Sequence, residues 1–109
     1  MRFPAFLGFA VLLGAGHLAA AGQPSFDCLK TSRQIEEVVC TNADLAALDA
    51  QLAEFYAAAQ KKLPEPAKQQ LRDEQSAWVQ RRNECWKPVQ AYECTRRAYE
   101  SRIAELKRR

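Results

Sequence analysis

Leu71, Trp78 and Cys85 recur every seven residues, with Gln75 and Arg82 interleaved at helical spacing. A helix over Leu71 to Cys85 therefore shows one face with a large aromatic ring flanked by polar groups, and that face needs two neighbouring helices to cover it. The flanking sequence supplies both. Before it, Leu45, Leu48, Leu52, Tyr56 (with Phe55), Ala59 and Leu63 step by three or four residues through an alanine-rich segment, Ala43 to Lys62. After it, Tyr92, Thr95, Tyr99, Ile103 (with Arg102) and Leu106 do the same. No segment alternates with period two for long enough to propose a strand. The expected fold is all-α, a small three-helix bundle.

Stop and start signals agree with that division. Asn42 is suited to cap the first long helix, Asp44 lies in its first turn and Lys61-Lys62 in its last, each matching the helix dipole. Leu63-Pro64-Glu65-Pro66 ends it, and Pro66 suits the first turn of the middle helix. Trp86-Lys87-Pro88 ends the middle helix, and the third begins between Val89 and Tyr92. Upstream, Gln23 to Lys30 reads as irregular. A short extra N-terminal helix runs to Cys40, with Thr31 and Gln34 at capping-box spacing and Ile35, Val38 and Val39 as its apolar side.

The chain opens with Met1 and Arg2, then an apolar run from Phe6 to Ala21 that ends in Ala19-Ala20-Ala21. This is the pattern of a secretory signal peptide over residues 1–21, cleaved after about Ala21. The run is short for a membrane span and is broken by Gly8, Gly14 and Gly16. Ser25-Phe26-Asp27 before Cys28 is not the small apolar context of a lipid-modified cysteine, so the mature protein is expected to be soluble, periplasmic or secreted. Cleavage leaves 109 − 21 = 88 residues, 22–109, for a single helical domain. A chain of that size buries only about 60 to 65% of its unfolded surface. Cys28, Cys40, Cys85 and Cys94 supply the usual remedy in an oxidising compartment, two disulfides.

Composition excludes several functions. Without Arg2 the charge is 15 − 13 = +2, too balanced to argue for nucleic acid. The one histidine, His17, lies in the signal, and Gly8, Gly14, Gly16 and Gly22 all fall there or at the first mature residue. The mature body thus has no Ser-His or Cys-His nucleophile pair, no histidine metal ligand and no glycine-rich phosphate loop. Four cysteines without Cys-x-x-Cys knuckles argue against zinc. No cofactor and no enzymatic activity are expected.

Folding the helices about the two turns brings side chains together. Asp49 faces the neighbourhood of Val79 to Arg82, and Leu52 faces Trp78, so an Asp49–Arg82 ion pair is expected beside the tryptophan. Tyr99 is brought towards Trp78, and Arg102 towards Gln75 or Glu74. Asp49, Gln75, Trp78, Arg82, Tyr99 and Arg102 read as a structural clamp rather than acid–base chemistry, which would need two carboxylates across an open cleft. The cysteines collect at one end. Three pairings are open, and Cys28 with Cys40 and Cys85 with Cys94 close the short loops that a helix start or turn folds back.

Phe26-Asp27-Cys28, Glu36 to Cys40, Leu45-x-x-Leu48-Asp49-x-x-Leu52-x-x-x-Tyr56, Gln75-x-x-Trp78-x-x-x-Arg82-x-x-Cys85, and Cys94 with Tyr99-x-x-Arg102-Ile103-x-x-Leu106 form a combined pattern. It resembles the LprI-like lysozyme inhibitor N-terminal domain family over nearly the whole mature chain. The resemblance implies a secreted helical domain that inhibits lysozyme.

Trp86, Lys87 and Tyr92, in the loop between Cys85 and Cys94, are the candidate partner-binding residues. A disulfide-constrained loop with aromatics and a cation loses little entropy on entering an enzyme cleft, where Lys87 can meet catalytic carboxylates. Glu36, Glu37 and Asp44 are a second candidate, an acidic patch for a basic lysozyme surface. Arg96-Arg97 and Lys107-Arg108-Arg109 read as a solvated basic face. The reading is a lysozyme inhibitor that occludes the enzyme cleft, and the alternative is a non-catalytic adaptor binding another envelope protein.

Overall fold

A computed structural model describes residues 23–87 and 89–109. The expected signal peptide and its cleavage site lie outside the described residues. Among the described residues there are four α-helices: α1 (Gln34–Cys40), α2 (Ala43–Lys62), α3 (Ala67–Asn83) and α4 (Ala91–Lys107). Two 3₁₀ turns, Cys28–Lys30 and Glu84–Trp86, precede α1 and follow α3. The fold is the expected one, a three-helix bundle with a short extra N-terminal helix, and the described residues contain no strand.

Local departures from the sequence reading have local causes. Asp27 Oδ1 accepts the Leu29 N–H at 2.9 Å and caps the first 3₁₀ turn. The chain is still extended at Thr31, where that turn ends, so no capping box forms and α1 begins at Gln34 without a side-chain cap. Asn42 holds the N-cap position of α2, but its Nδ2 reaches back to donate to the Val38 carbonyl at 2.7 Å, closing α1 instead. The middle helix stops at Asn83, and Cys85 stands on the tighter turn after it. Pro66, after a cis peptide bond, immediately precedes α3.

The helix at the centre is α4 rather than α3. It runs closely along α2 and also packs on α3, α1 and the Glu84–Trp86 turn, whereas α2 and α3, adjacent in sequence, approach only loosely. Side-chain size explains this. The core face of α2 includes the buried small residues Ala46 and Ala59, which let a neighbouring backbone come near, while α3 meets α4 through the ring of Trp78. Ile35 and Val39 of α1, Leu45 and Leu52 of α2, Leu71 and Trp78 of α3, and Tyr99, Ile103 and Leu106 of α4 are buried.

Disulfides join Cys28 to Cys40 and Cys85 to Cys94. Their sequence separations of 12 and 9 residues correspond to roughly 3 kcal/mol of lost unfolded-chain entropy each. Since α1 packs against the Glu84–Trp86 turn, both bridges lie at the same end of the bundle. Two such bridges suit an oxidising, extracytoplasmic compartment. Among the described residues no helix is long and apolar enough to cross a membrane.

Candidate partner-binding site

The side chains grouped by helical spacing meet inside the bundle. Tyr99 Oη donates to Asp49 Oδ1 at 2.7 Å and accepts from Arg82 Nη1 at 3.0 Å. Arg82 Nη1 itself lies 4.0 Å from Asp49 Oδ1, so the ion pair is chiefly bridged by the phenol. Arg82 stacks over the Trp78 ring at 5.7 Å, and Trp78 meets Tyr99 edge-on at 5.2 Å between centroids. Trp78 Nε1 donates to the Ala98 carbonyl at 3.2 Å. Burial pushes the Tyr99 phenol well above its ordinary range, the Asp49 carboxylate adding to the shift and Arg82 opposing it. Arg102 Nε donates to Gln75 Oε1 at 2.9 Å, with Glu74 Oε1 3.9 Å from Nη1.

Two partners of this cluster carry no helical-period signal. Ser25, before the first helix, donates both its backbone N–H and its hydroxyl to Asp49 Oδ2, each at 2.6 Å, and pins the N-terminal segment to α2. Asn83 Oδ1 accepts from Arg82 Nε at 3.2 Å and Nη2 at 2.7 Å. Asn83 directly follows Arg82 as the last residue of α3, and its amide oxygen faces the guanidinium. Asp49, Arg82, Trp78 and Tyr99 are all nearly inaccessible, so the cluster chiefly fixes helix register.

The exposed groups lie at the disulfide end. Trp86 is 46% exposed and Val89 fully so. Trp86 borders a cleft of about 240 Å³, shared with Arg33, Gln34 and Ile35 at the start of α1 and Asn83 and Glu84 at the end of α3. Lys87 Nζ lies 2.6 Å from Glu84 Oε1, an exposed pair that water screens and a partner can exchange. Tyr92 is more engaged: its hydroxyl donates to Asp44 Oδ2, tying the start of α4 to the start of α2. That bond holds the Asp44 carboxyl below its usual range and lifts the Tyr92 phenol above its own. The acidic patch is thereby reduced, with Glu36 and Glu37 on α1 while Asp44 is occupied. Leu29, 95% exposed on the Cys28–Lys30 turn, adds an apolar group that periodicity does not single out.

The sequence profile of the family described as lysozyme inhibitor LprI matches residues 28–106. This chain belongs to that family. Proteins named lipoprotein LprI from Mycobacterium bovis and Mycobacterium tuberculosis are 31% identical to it over 86 residues, 79% of this chain and 42% of theirs. The chain thus spans about two-fifths of the length of those relatives. No solved structure matches. The LprI-family match includes both disulfides, the buried cluster apart from Ser25, and the loop carrying Trp86.

Proposed function

We propose that this chain is an exported, non-catalytic lysozyme inhibitor that blocks the enzyme by inserting its disulfide-closed loop into the substrate cleft. The observation that carries the reading is the exposure of Trp86 and Val89 beside the Cys85–Cys94 bridge, in a member of the LprI family. Large apolar groups exposed beside a disulfide suit a surface that a partner covers, and closure of the loop limits the entropy lost on docking. Trp86 is the anchor, Val89 and Leu29 widen the apolar contact, and Lys87 leaves Glu84 for a carboxylate of the enzyme. Tyr92 supports the loop through Asp44. The protein acts in the periplasm or outside the cell, after removal of residues 1–21.

The test is direct binding of the purified, oxidised domain to lysozymes of different classes, with cell-wall hydrolysis followed in parallel. A saturable complex that is hydrolytically silent supports the reading. Absence of binding to every class, together with recovery of a different envelope protein in pull-downs, would replace it with the adaptor reading.

A further inference from the structure

A second concave surface lies between α3 and α4, away from Trp86: a groove of about 430 Å³. The Cys85–Cys94 disulfide closes one end, and Arg102 and Glu105 form the other. Trp78 and Ala98 contribute to its walls, Ser101 adds a hydroxyl, and Arg81 and Arg97 stand along its edges. Three guanidinium groups and the Glu105 carboxylate line a space large enough for a small organic ligand, while Glu74 lies 3.9 Å from Arg102 Nη1 and Glu93 3.8 Å from Arg97 Nε at its margin.

The decisive group is Arg102. Its side chain is only 4% exposed, with Nε bonded to Gln75 and Nη1 to Glu105 Oε1 at 3.0 Å. Nη2 is buried and meets no acceptor among the described residues. A buried charged donor without an acceptor is unfavourable, and the Nη1–Nη2 edge of a guanidinium matches the two oxygens of a carboxylate. Glu105 uses half of that edge, and its side chain, 48% exposed, is free to turn out into water.

The geometry points to a carboxylate-binding site in this groove: a ligand carboxylate displaces Glu105 and bridges Nη1 and Nη2 of Arg102, with Arg97 and Arg81 adding positive charge. The rest of the ligand lies along Ala98 and Ser101. A sugar acid and a peptide chain end present the same group, and both suit the volume. This site does not include Trp86, although it shares the Cys85–Cys94 bridge with the loop that carries it.

The experiment is a heteronuclear NMR titration of the oxidised chain with glucuronate and with an N-acetylated dipeptide bearing a free carboxylate. Glucose and the corresponding dipeptide amide serve as neutral counterparts. The expected result is saturable shifts at the Trp78 indole N–H, Ser101 and Arg102 with one or both carboxylates and none with the neutral compounds. The responding probe identifies the source, a glycan acid or a chain end. Arg97→Gln, at an exposed position, weakens binding about tenfold, the loss of one charge-assisted contact. Glu105→Gln strengthens it, because the competing carboxylate is gone. Silence of both carboxylates at millimolar concentration, equal response to the neutral compounds, or unchanged affinity in Glu105→Gln would overturn the site.

Discussion

The Tyr99 hydroxyl joins Asp49 of α2 to Arg82 of α3, donating to the first at 2.7 Å and accepting from the second at 3.0 Å. One phenol on the central helix thereby sets the register of the two helices that barely touch each other. Tyr99→Phe keeps the edge-on contact with Trp78 but leaves both charged groups short of a partner. The expected loss is about 1 to 3 kcal/mol, read from urea unfolding. Asp49→Ala is expected to cost about 3 to 5 kcal/mol, because it strands buried Arg82 and also frees Ser25.

The same phenol makes stability sensitive to alkali. Its folded pKa lies above the ordinary 10.0, so its contribution is complete below pH 10 and declines as pH rises through 10 towards the folded value. Tyr92, lifted by Asp44, acts in the same direction. Urea midpoints measured across the alkaline range should therefore fall. Tyr99→Phe shrinks that decline, and adding Tyr92→Phe shrinks it further.

Acid acts through the opposite sign. The Asp44 carboxyl is held low by Tyr92, and that of Glu93 by Arg96. Their contributions are complete above the ordinary values of 3.8 and 4.5 and are lost as pH falls below them. Tyr92→Phe should remove the share of Asp44, flattening the acid side of the same midpoint series.

The close approach of α4 to α2 depends on small side chains. Ala59 is 2% exposed on the core face of α2, so Ala59→Leu forces the helices apart or off their rotamers. Thermal unfolding should report a loss of about 1 to 3 kcal/mol. An unchanged midpoint would show that the seam has room the packing denies.

The helices, their order and the buried cluster were legible because they rest on periodicity and on two proline-marked turns. Leu45, Leu52, Trp78, Tyr99 and Ile103 recur at intervals that only a shared core satisfies. The preferred cysteine pairing followed from short loops, and the structure has those bridges. What spacing did not convey was depth: it made the Leu71 to Cys85 face the organising one, whereas alanines on α2 bring α4 to the centre. Nor did it find Ser25 and Asn83, whose roles arise where helices begin and end. Tyr92 shared a stripe with Tyr99, yet it stands at the open end of α4, where its ring stays partly exposed and its hydroxyl ties Asp44.

The proposed mode of inhibition requires the loop between Cys85 and Cys94 to stay closed. The Cys85→Ser, Cys94→Ser variant is expected to lose about 2 to 4 kcal/mol of stability and, with its loop loosened, much of the proposed inhibition, even under conditions where circular dichroism shows the helices intact.

The most direct measurement is residual muramidase activity on cell-wall substrate against increasing amounts of the oxidised domain, wild type beside a Trp86→Ala, Lys87→Ala variant of unchanged helicity. Both residues are exposed, so their removal leaves the core untouched. Inhibition by the wild type that is lost in the variant is the expected result. Inhibition retained in full by the variant would contradict the placement of the site in this loop, and no inhibition of any lysozyme class would contradict the inhibitor reading itself.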